Sequence, residues 1–154
     1  MLRAVGSIVL GYIVMFVTVF ITMTLAYAIV GTGGAFREAS YDVSTLWAIT
    51  SIVLSLAAAI VGGLVCAAVA GSAGPARALA ALVIVLGLLL AIPALRQAGP
   101  VAEPRPDSVS SIEAMMSARQ PAWIVLLNPI IGAVGVLAGA ALLRRPGPAA
   151  TRAS

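Results

Sequence analysis

Four long apolar stretches without a single charged side chain dominate this chain of 154 residues. They cover approximately residues 4–30, 46–70, 78–95 and 122–143. An α-helix rises about 1.5 Å per residue, so roughly 20 residues cross the 30 Å hydrocarbon layer of a membrane. The sequence therefore predicts an all-α membrane protein folded as a four-transmembrane-helix bundle.

Composition excludes a water-soluble fold. Hydrophobic residues make up 62% of the chain and charged residues only 9%, whereas soluble domains average about 25% charged residues. The chain has too few polar side chains to cover a surface in water, but lipid is a suitable solvent for it.

Helix-breaking residues follow each apolar stretch. Residues 31–34 are predicted to end the first helix, and residues 71–75 to form a tight turn after the second. Three prolines interrupt the third connection. Because the polar connections are too short to fold alone, residues 1–145 are predicted to form one domain, and residues 146–154 a disordered cytoplasmic tail.

Arginines indicate the orientation. If the chain spans four times, the N-terminus, the second connection and the C-terminus share a side with five arginines and no acid, against four arginines and five acids opposite. The basic counts are close, but Arg77, Arg144 and Arg145 lie directly at helix ends. Both termini are therefore predicted to be cytoplasmic. The alanine and arginine bias without lysine is typical of high-GC bacteria, which predicts a bacterial inner membrane.

The first stretch permits a second interpretation. Arg3, an apolar run and Ala26-Tyr27-Ala28 resemble a signal peptide with its cleavage site. The apolar region of a signal peptide is typically about 7–15 residues long, much shorter than this run. We therefore expect the first helix to be retained.

Small residues four positions apart form a ribbon along the second predicted helix. Its members are Ser51, Ser55, Ala59, Gly63, Ala67 and Gly71. A parallel row consists of Ala58, Gly62, Cys66 and Ala70, and the fourth helix has Gly135 and Gly139 in GxxxG spacing. Such rows allow helices to approach closely in lipid, although abundant Ala and Gly can also produce GxxxG by chance. The packing face could serve the bundle's own core or a second protein.

Asn128-Pro129 is the most unusual feature within an apolar stretch. Pro129 removes a backbone donor and frees a carbonyl one turn earlier, and an Asn side chain in lipid needs a hydrogen-bond partner. One hypothesis is a kinked polar site that binds a ligand or passes a solute. The simpler hypothesis is a helix kink with Asn128 bonded to a neighbouring helix.

The sequence offers little to catalysis or to cofactors. It has no histidine, one cysteine (Cys66) and no ionisable Asp, Glu, Lys or Arg within the apolar stretches. Proton-coupled transporters generally need an ionisable group at membrane depth, and metal or haem sites need ligands that are missing here. We therefore predict no catalytic residue, no metal and no cofactor. Without a basic cluster, no nucleic-acid partner is expected.

Two tryptophans mark the predicted outer boundary. Trp47 and Trp123 lie at the outer starts of the second and fourth helices, where indole rings favour the lipid headgroups. Asp42 or Ser44 is predicted to cap the second helix. Ser110 and Glu113 have capping-box spacing, which predicts a short outer-surface helix over residues 111–118.

Two main functional hypotheses remain. A third, a membrane enzyme, is supported only by the carboxylates of the outer loops. The first is a non-enzymatic accessory, scaffold or oligomer-forming subunit that acts through helix–helix contacts, with membrane lipids and a homo-oligomer or larger complex as partners. The alternative is a transporter, channel or lipophilic-ligand binder that uses a polar site around Asn128. A polar cavity at Asn128 would favour the alternative.

Overall fold

The computed structural model of the chain describes residues 2–38, 40–97, 113 and 117–143. Four α-helices lie in these ranges: α1 (Leu2–Ala35), α2 (Thr45–Ala70), α3 (Gly74–Gln97) and α4 (Ala122–Leu142). All four are long and apolar enough to cross a membrane, and no β-strand forms in the described ranges. The prediction of four helices of spanning length is confirmed.

Two predicted features fall mainly on residues that are not described. Of the predicted outer helix over residues 111–118, the structure describes Glu113, Ser117 and Ala118. The Ser117 N–H donates to the Glu113 carbonyl at 3.0 Å, the spacing of one helical turn. The predicted tail over residues 146–154 lies wholly outside the described residues.

Capping residues define the two ends of α2. Ser44 is its N-cap, and the Ser44 hydroxyl accepts a hydrogen bond of 3.1 Å from the Trp47 N–H. Of the two predicted caps, the structure uses Ser44 rather than Asp42. Gly71 ends the helix in the left-handed conformation, with φ of 70°, and its N–H donates to the Ala67 carbonyl at 2.9 Å. Glycine adopts this conformation without steric cost.

The first and third helices are longer than their predicted spans. Gly31 interrupts α1 with φ of 68° and ψ of 178°, but helical geometry resumes and continues to Ala35. The glycines therefore break α1 without ending it. The helix α3 begins at Gly74 instead of residue 78, because Pro75 fits in the first turn of a helix, where its missing N–H is not needed.

The helix α2 lies at the centre of the bundle. Both α1 and α4 pack extensively on it, and α3 packs mainly on α4, whereas α1 and α3 make few contacts with each other. We call the end at which α1 and α3 begin the inner end, and the opposite end the outer end. At the inner end, the Arg3 Nε–H donates to the Val69 carbonyl at 2.8 Å and joins α1 to α2.

The α1–α2 connection folds back on itself at the outer end. Phe36 and Val43 form an antiparallel bridge, and Asp42 and Arg119 form a parallel one. A small apolar cluster forms beneath it, consisting of Ala35, Phe36 and Val43 with Tyr27, Trp47 and Ala118 packed against them. The residues that precede α4 are thereby attached to the α1–α2 connection.

Candidate functional site: a cavity at Asn128

Two adjacent rows of small residues on α2 contact different helices. The row containing Gly62 and Cys66 faces α1. A Cβ atom added to Gly62 would lie 2.8 Å from the Gly11 carbonyl oxygen, and one added to Gly11 would lie 2.7 Å from the Cβ of Cys66. Backbones can approach this closely only where both side chains are minimal.

The ribbon that contains Ala59 and Gly63 faces α4. A Cβ atom added to Gly63 would overlap the backbone oxygen of Val136, and one added to Gly139 would overlap the carbonyl of Ile60. A Cβ atom on Gly135 would lie 2.7 Å from the Cβ of Ala59. The predicted packing residues Ser51, Ala59, Gly63, Ala67, Gly135 and Gly139 are buried, and Ser55 is half-buried. Both rows are therefore occupied by helices of this same chain.

A cavity of about 540 Å³ lies on the other side of the bundle, between α1, α3 and α4. Most of its lining is apolar, including Met15, Val83, Leu86 and Val125. The residues 118–120 that precede α4 cover its outer end. No residue of α2 lines this cavity, so it forms where α1 and α3 diverge.

Asn128 and Pro129 both line the cavity. The side-chain oxygen Oδ1 of Asn128 is buried and has no hydrogen-bond partner in the described part of the chain. Pro129 lies inside α4 and is buried, and it has no N–H to donate to the carbonyl of Val125 one turn earlier. Asn128 thus holds a buried, unpaired acceptor next to the cavity, and the carbonyl of Val125, another lining residue, lacks its helical donor.

Gly87 of α3 positions this part of α4. A Cβ atom added to Gly87 would lie 2.5 Å from the Cγ of Pro129, so the proline ring rests on the glycine. No local pattern distinguishes Gly87, because it lies alone among leucines and its partner is on another helix. This contact aligns the Asn128-Pro129 step with α3.

The cavity is polar at its outer end and largely apolar at its inner end. Arg119 and Gln120 line the outer end, and among the lining residues that the structure describes only Arg119 carries a charge. Tyr12, Met15 and Val83 line the inner end. Such a lining suits a molecule with one polar part and a longer apolar part.

Main-chain hydrogen bonds hold the residues over the outer end, which we call the roof (residues 118–120). The Val43 N–H donates to the Arg119 carbonyl at 3.1 Å, and the Arg119 N–H donates to the Tyr41 carbonyl at 2.9 Å. Sequence reasoning missed the roof because these bonds join segments that are distant in the chain and use no particular side chain.

The two predicted interface anchors have different surroundings. Trp47 is half-buried and packs edge-on against Tyr27, with ring centroids 5.7 Å apart and planes at 82°. Trp123 is 58% exposed at the outer start of α4. The Trp123 ring is thus open to the surroundings of the bundle, whereas Trp47 contributes to the apolar cluster under the outer connection.

Three threonine hydroxyls in α1 are satisfied within their own helix. The hydroxyls of Thr18, Thr22 and Thr24 each donate at 2.7 Å to the carbonyl four residues earlier, a bond that hydroxyl side chains commonly make inside helices. They therefore differ from Asn128, whose Oδ1 has no such bond.

No cluster of three or more metal-ligating side chains lies within the described ranges. Comparisons with protein-family models, curated proteins and solved structures returned no match to this chain. The functional argument accordingly depends on the cavity and its geometry.

Proposed function

We propose that this chain is a multi-pass membrane protein that binds a lipophilic molecule in the cavity at Asn128. One observation carries the proposal: a largely apolar cavity of about 540 Å³ lined by an asparagine whose buried amide oxygen is unpaired. Cavities that bind small molecules typically measure about 300–1,000 Å³ and combine an apolar lining with a few polar groups.

The unpaired oxygen is the reason to expect an occupant. Leaving a buried acceptor unsatisfied costs about 1–3 kcal/mol. A donor from a ligand would remove that cost, since no side chain of the described residues does so. The alternative role of Asn128 as a bond to a neighbouring helix lacks such a partner here.

Large apolar side chains around the helices support insertion into a membrane. Phe16 and Phe20 of α1 are 62% and 65% exposed, and Val134 of α4 is 57% exposed. Lipid tails would cover these side chains, whereas water would not.

The proposed location is a bacterial inner membrane with both termini in the cytoplasm. The test of orientation is an alkaline phosphatase fusion at Ser154, which we expect to be inactive because the enzyme folds only outside the cytoplasm. An active fusion would place the C-terminus on the outer side and reverse the orientation.

A cavity-filling substitution tests the ligand. In Ala94→Phe the new ring would occupy the cavity, which Ala94 lines, whereas Ala81→Phe adds the same ring to an exposed position of α3 away from it. Native mass spectrometry of the wild type should show a small molecule bound to the purified protein. We expect Ala94→Phe to reduce the occupied fraction several-fold and Ala81→Phe to retain it. Equal occupancy in both variants, or none in the wild type, would refute the proposal.

The contact role remains a second proposal, with a homo-oligomer or a membrane complex as the product. The small-residue rows are the evidence for this role, but α1 and α4 of the same chain already cover those rows. The exposed apolar faces could still meet another protein. Blue-native electrophoresis tests this role, and a monomeric band without a co-purifying protein would count against it. In either role the chain acts by binding, without catalysis or a cofactor.

A further inference from the structure

We infer that the ligand is an uncharged lipid with a hydroxyl head, such as a diacylglycerol, which enters the cavity sideways from the membrane between α1 and α3. This inference rests on the proposed function and specifies its ligand class and its route of entry. Three features of the cavity support it: the lateral mouth, the depth of the unpaired acceptor and the position of that acceptor along the cavity.

The lateral mouth lies where α1 and α3 diverge. The two helices meet toward the inner end, where a Cβ atom added to Gly11 would lie 3.0 Å from a methyl carbon of Leu79. Farther out, Leu90 lines the cavity and is nevertheless 69% exposed, and Ala94 is also exposed. The cavity therefore opens on the lipid-facing side of the bundle as well as under the roof.

The acceptor lies deeper in the membrane than the level of the charged lipid headgroups. Asn128 is six residues from the outer start of α4 at Ala122, or about 9 Å along the helix at 1.5 Å per residue. A charged group at such depth is costly, and among the described residues lining the cavity the only charge, Arg119, is at the outer end. An uncharged donor, a hydroxyl, suits Asn128 Oδ1 and the carbonyl of Val125.

Asn128 lies partway along the cavity. The cavity extends along α3 from Ala94 to Val83, eleven residues or about 16 Å, and the neighbouring Pro129 rests on Gly87, four residues from Val83. A hydroxyl head at Asn128 would therefore leave only about 6 Å of the cavity inward of it. The acyl chains of a diacylglycerol would extend through the mouth between α1 and α3 into the bilayer.

Photo-cross-linking at neighbouring positions tests both the route and the ligand. The variant Leu90→p-benzoylphenylalanine places a reactive ketone at the mouth, and Leu89→p-benzoylphenylalanine places it on the outward face, where Leu89 is 57% exposed and does not line the cavity. Each protein is reconstituted in phosphatidylcholine vesicles that contain a small, known fraction of diacylglycerol or of its methyl ether, which lacks the donor. Mass spectrometry then identifies the cross-linked lipid.

We expect diacylglycerol adducts at position 90 to exceed the vesicle fraction several-fold, and adducts at position 89 to match it. The enrichment should be lost with the methyl ether and in an Asn128→Leu background. Equal adduct composition at the two positions, or enrichment that survives both changes, overturns the inference. If the Leu90 variant fails to fold, the pair Val19 and Val17 repeats the design on α1, since only Val19 lines the cavity.

The two tests fail separately. If Ala94→Phe removes a bound molecule but diacylglycerol is not enriched at position 90, the proposed function stands and the ligand class is wrong. If neither experiment detects a bound molecule, the proposed function itself fails.

Discussion

The two sides of this bundle are built from similar residues but pack in opposite ways. On one side, α1 and α4 contact α2 along glycines that bring backbones together; we call this the glycine seam (Gly11, Gly62, Gly63, Gly135 and Gly139). On the other side, α1 and α3 diverge and leave a cavity of about 540 Å³. Small residues close a gap only when both helices present them at the same level.

The comparison explains where a bundle of this kind can hold a ligand. The seam binds the helices through dispersion contacts, which are individually weak but numerous. Met15 and Val19 of α1 line the gap, and α1 and α3 make few contacts with each other.

The largest effect is expected from adding a methyl group to the seam. Gly63→Ala and Gly139→Ala would each force a Cβ atom against the backbone of the facing helix, and overpacking of this kind costs about 2–3 kcal/mol. Circular dichroism during unfolding in mixed micelles measures the decrease in the free energy of unfolding.

The control for the seam is Gly6→Ala, since a Cβ atom at Gly6 meets nothing within 4 Å. We expect it to be neutral or to stabilise α1 by up to about 1 kcal/mol, because alanine favours the helix. If Gly63→Ala is as harmless as Gly6→Ala, the seam is not closely packed and the contrast between the two sides disappears.

A smaller effect of opposite sign is expected from Asn128→Leu in the cavity. The substitution removes an unpaired acceptor, so the free energy of unfolding of the ligand-free protein should rise by about 1–2 kcal/mol. The same variant should lose the ligand. Thermal unfolding of delipidated protein measures the change, and a clear loss of stability would show instead that Asn128 bonds a neighbouring helix.

The smallest effect is expected at the hydroxyls. Thr24 is exposed, and its hydroxyl bonds only to its own helix at Phe20, so Thr24→Val should change stability by less than about 0.5 kcal/mol. Ligand occupancy by native mass spectrometry should equal that of the wild type. If Thr24→Val lost as much bound ligand as Asn128→Leu, the binding site would have to include polar groups outside the cavity.

Local patterns in the sequence predicted the helices but not all of their limits. Apolar length identified α1 to α4, and the Ser44 cap followed from its residue type. The glycines at 31–34 were expected to end α1, but only Gly31 leaves the helical conformation. Whether a glycine breaks or ends a helix depends on the residues that follow, here on the bond from the Phe36 N–H to the Thr32 carbonyl at 3.1 Å.

The site was predictable only in part, for a similar reason. Asn128-Pro129 is conspicuous in an apolar stretch, so the sequence identified it directly. Gly87, which contacts Pro129, and the roof at Arg119 belong to the site only because of which segments are neighbours in the fold. A local sequence pattern does not contain that information. The small-residue rows predicted a packing face on α2, but not that α1 packs on one row and α4 on the other.

The roof over the cavity is attached through main-chain groups that every residue except proline supplies. These two hydrogen bonds therefore do not require a particular side chain at position 41 or 119. Main-chain groups then keep the outer end of the cavity covered, while the roof side chains separately determine which polar groups face the head of the proposed lipid. Relatives of this chain could acquire preferences for different lipids by exchanging roof side chains, while the same pair of hydrogen bonds keeps the cavity covered.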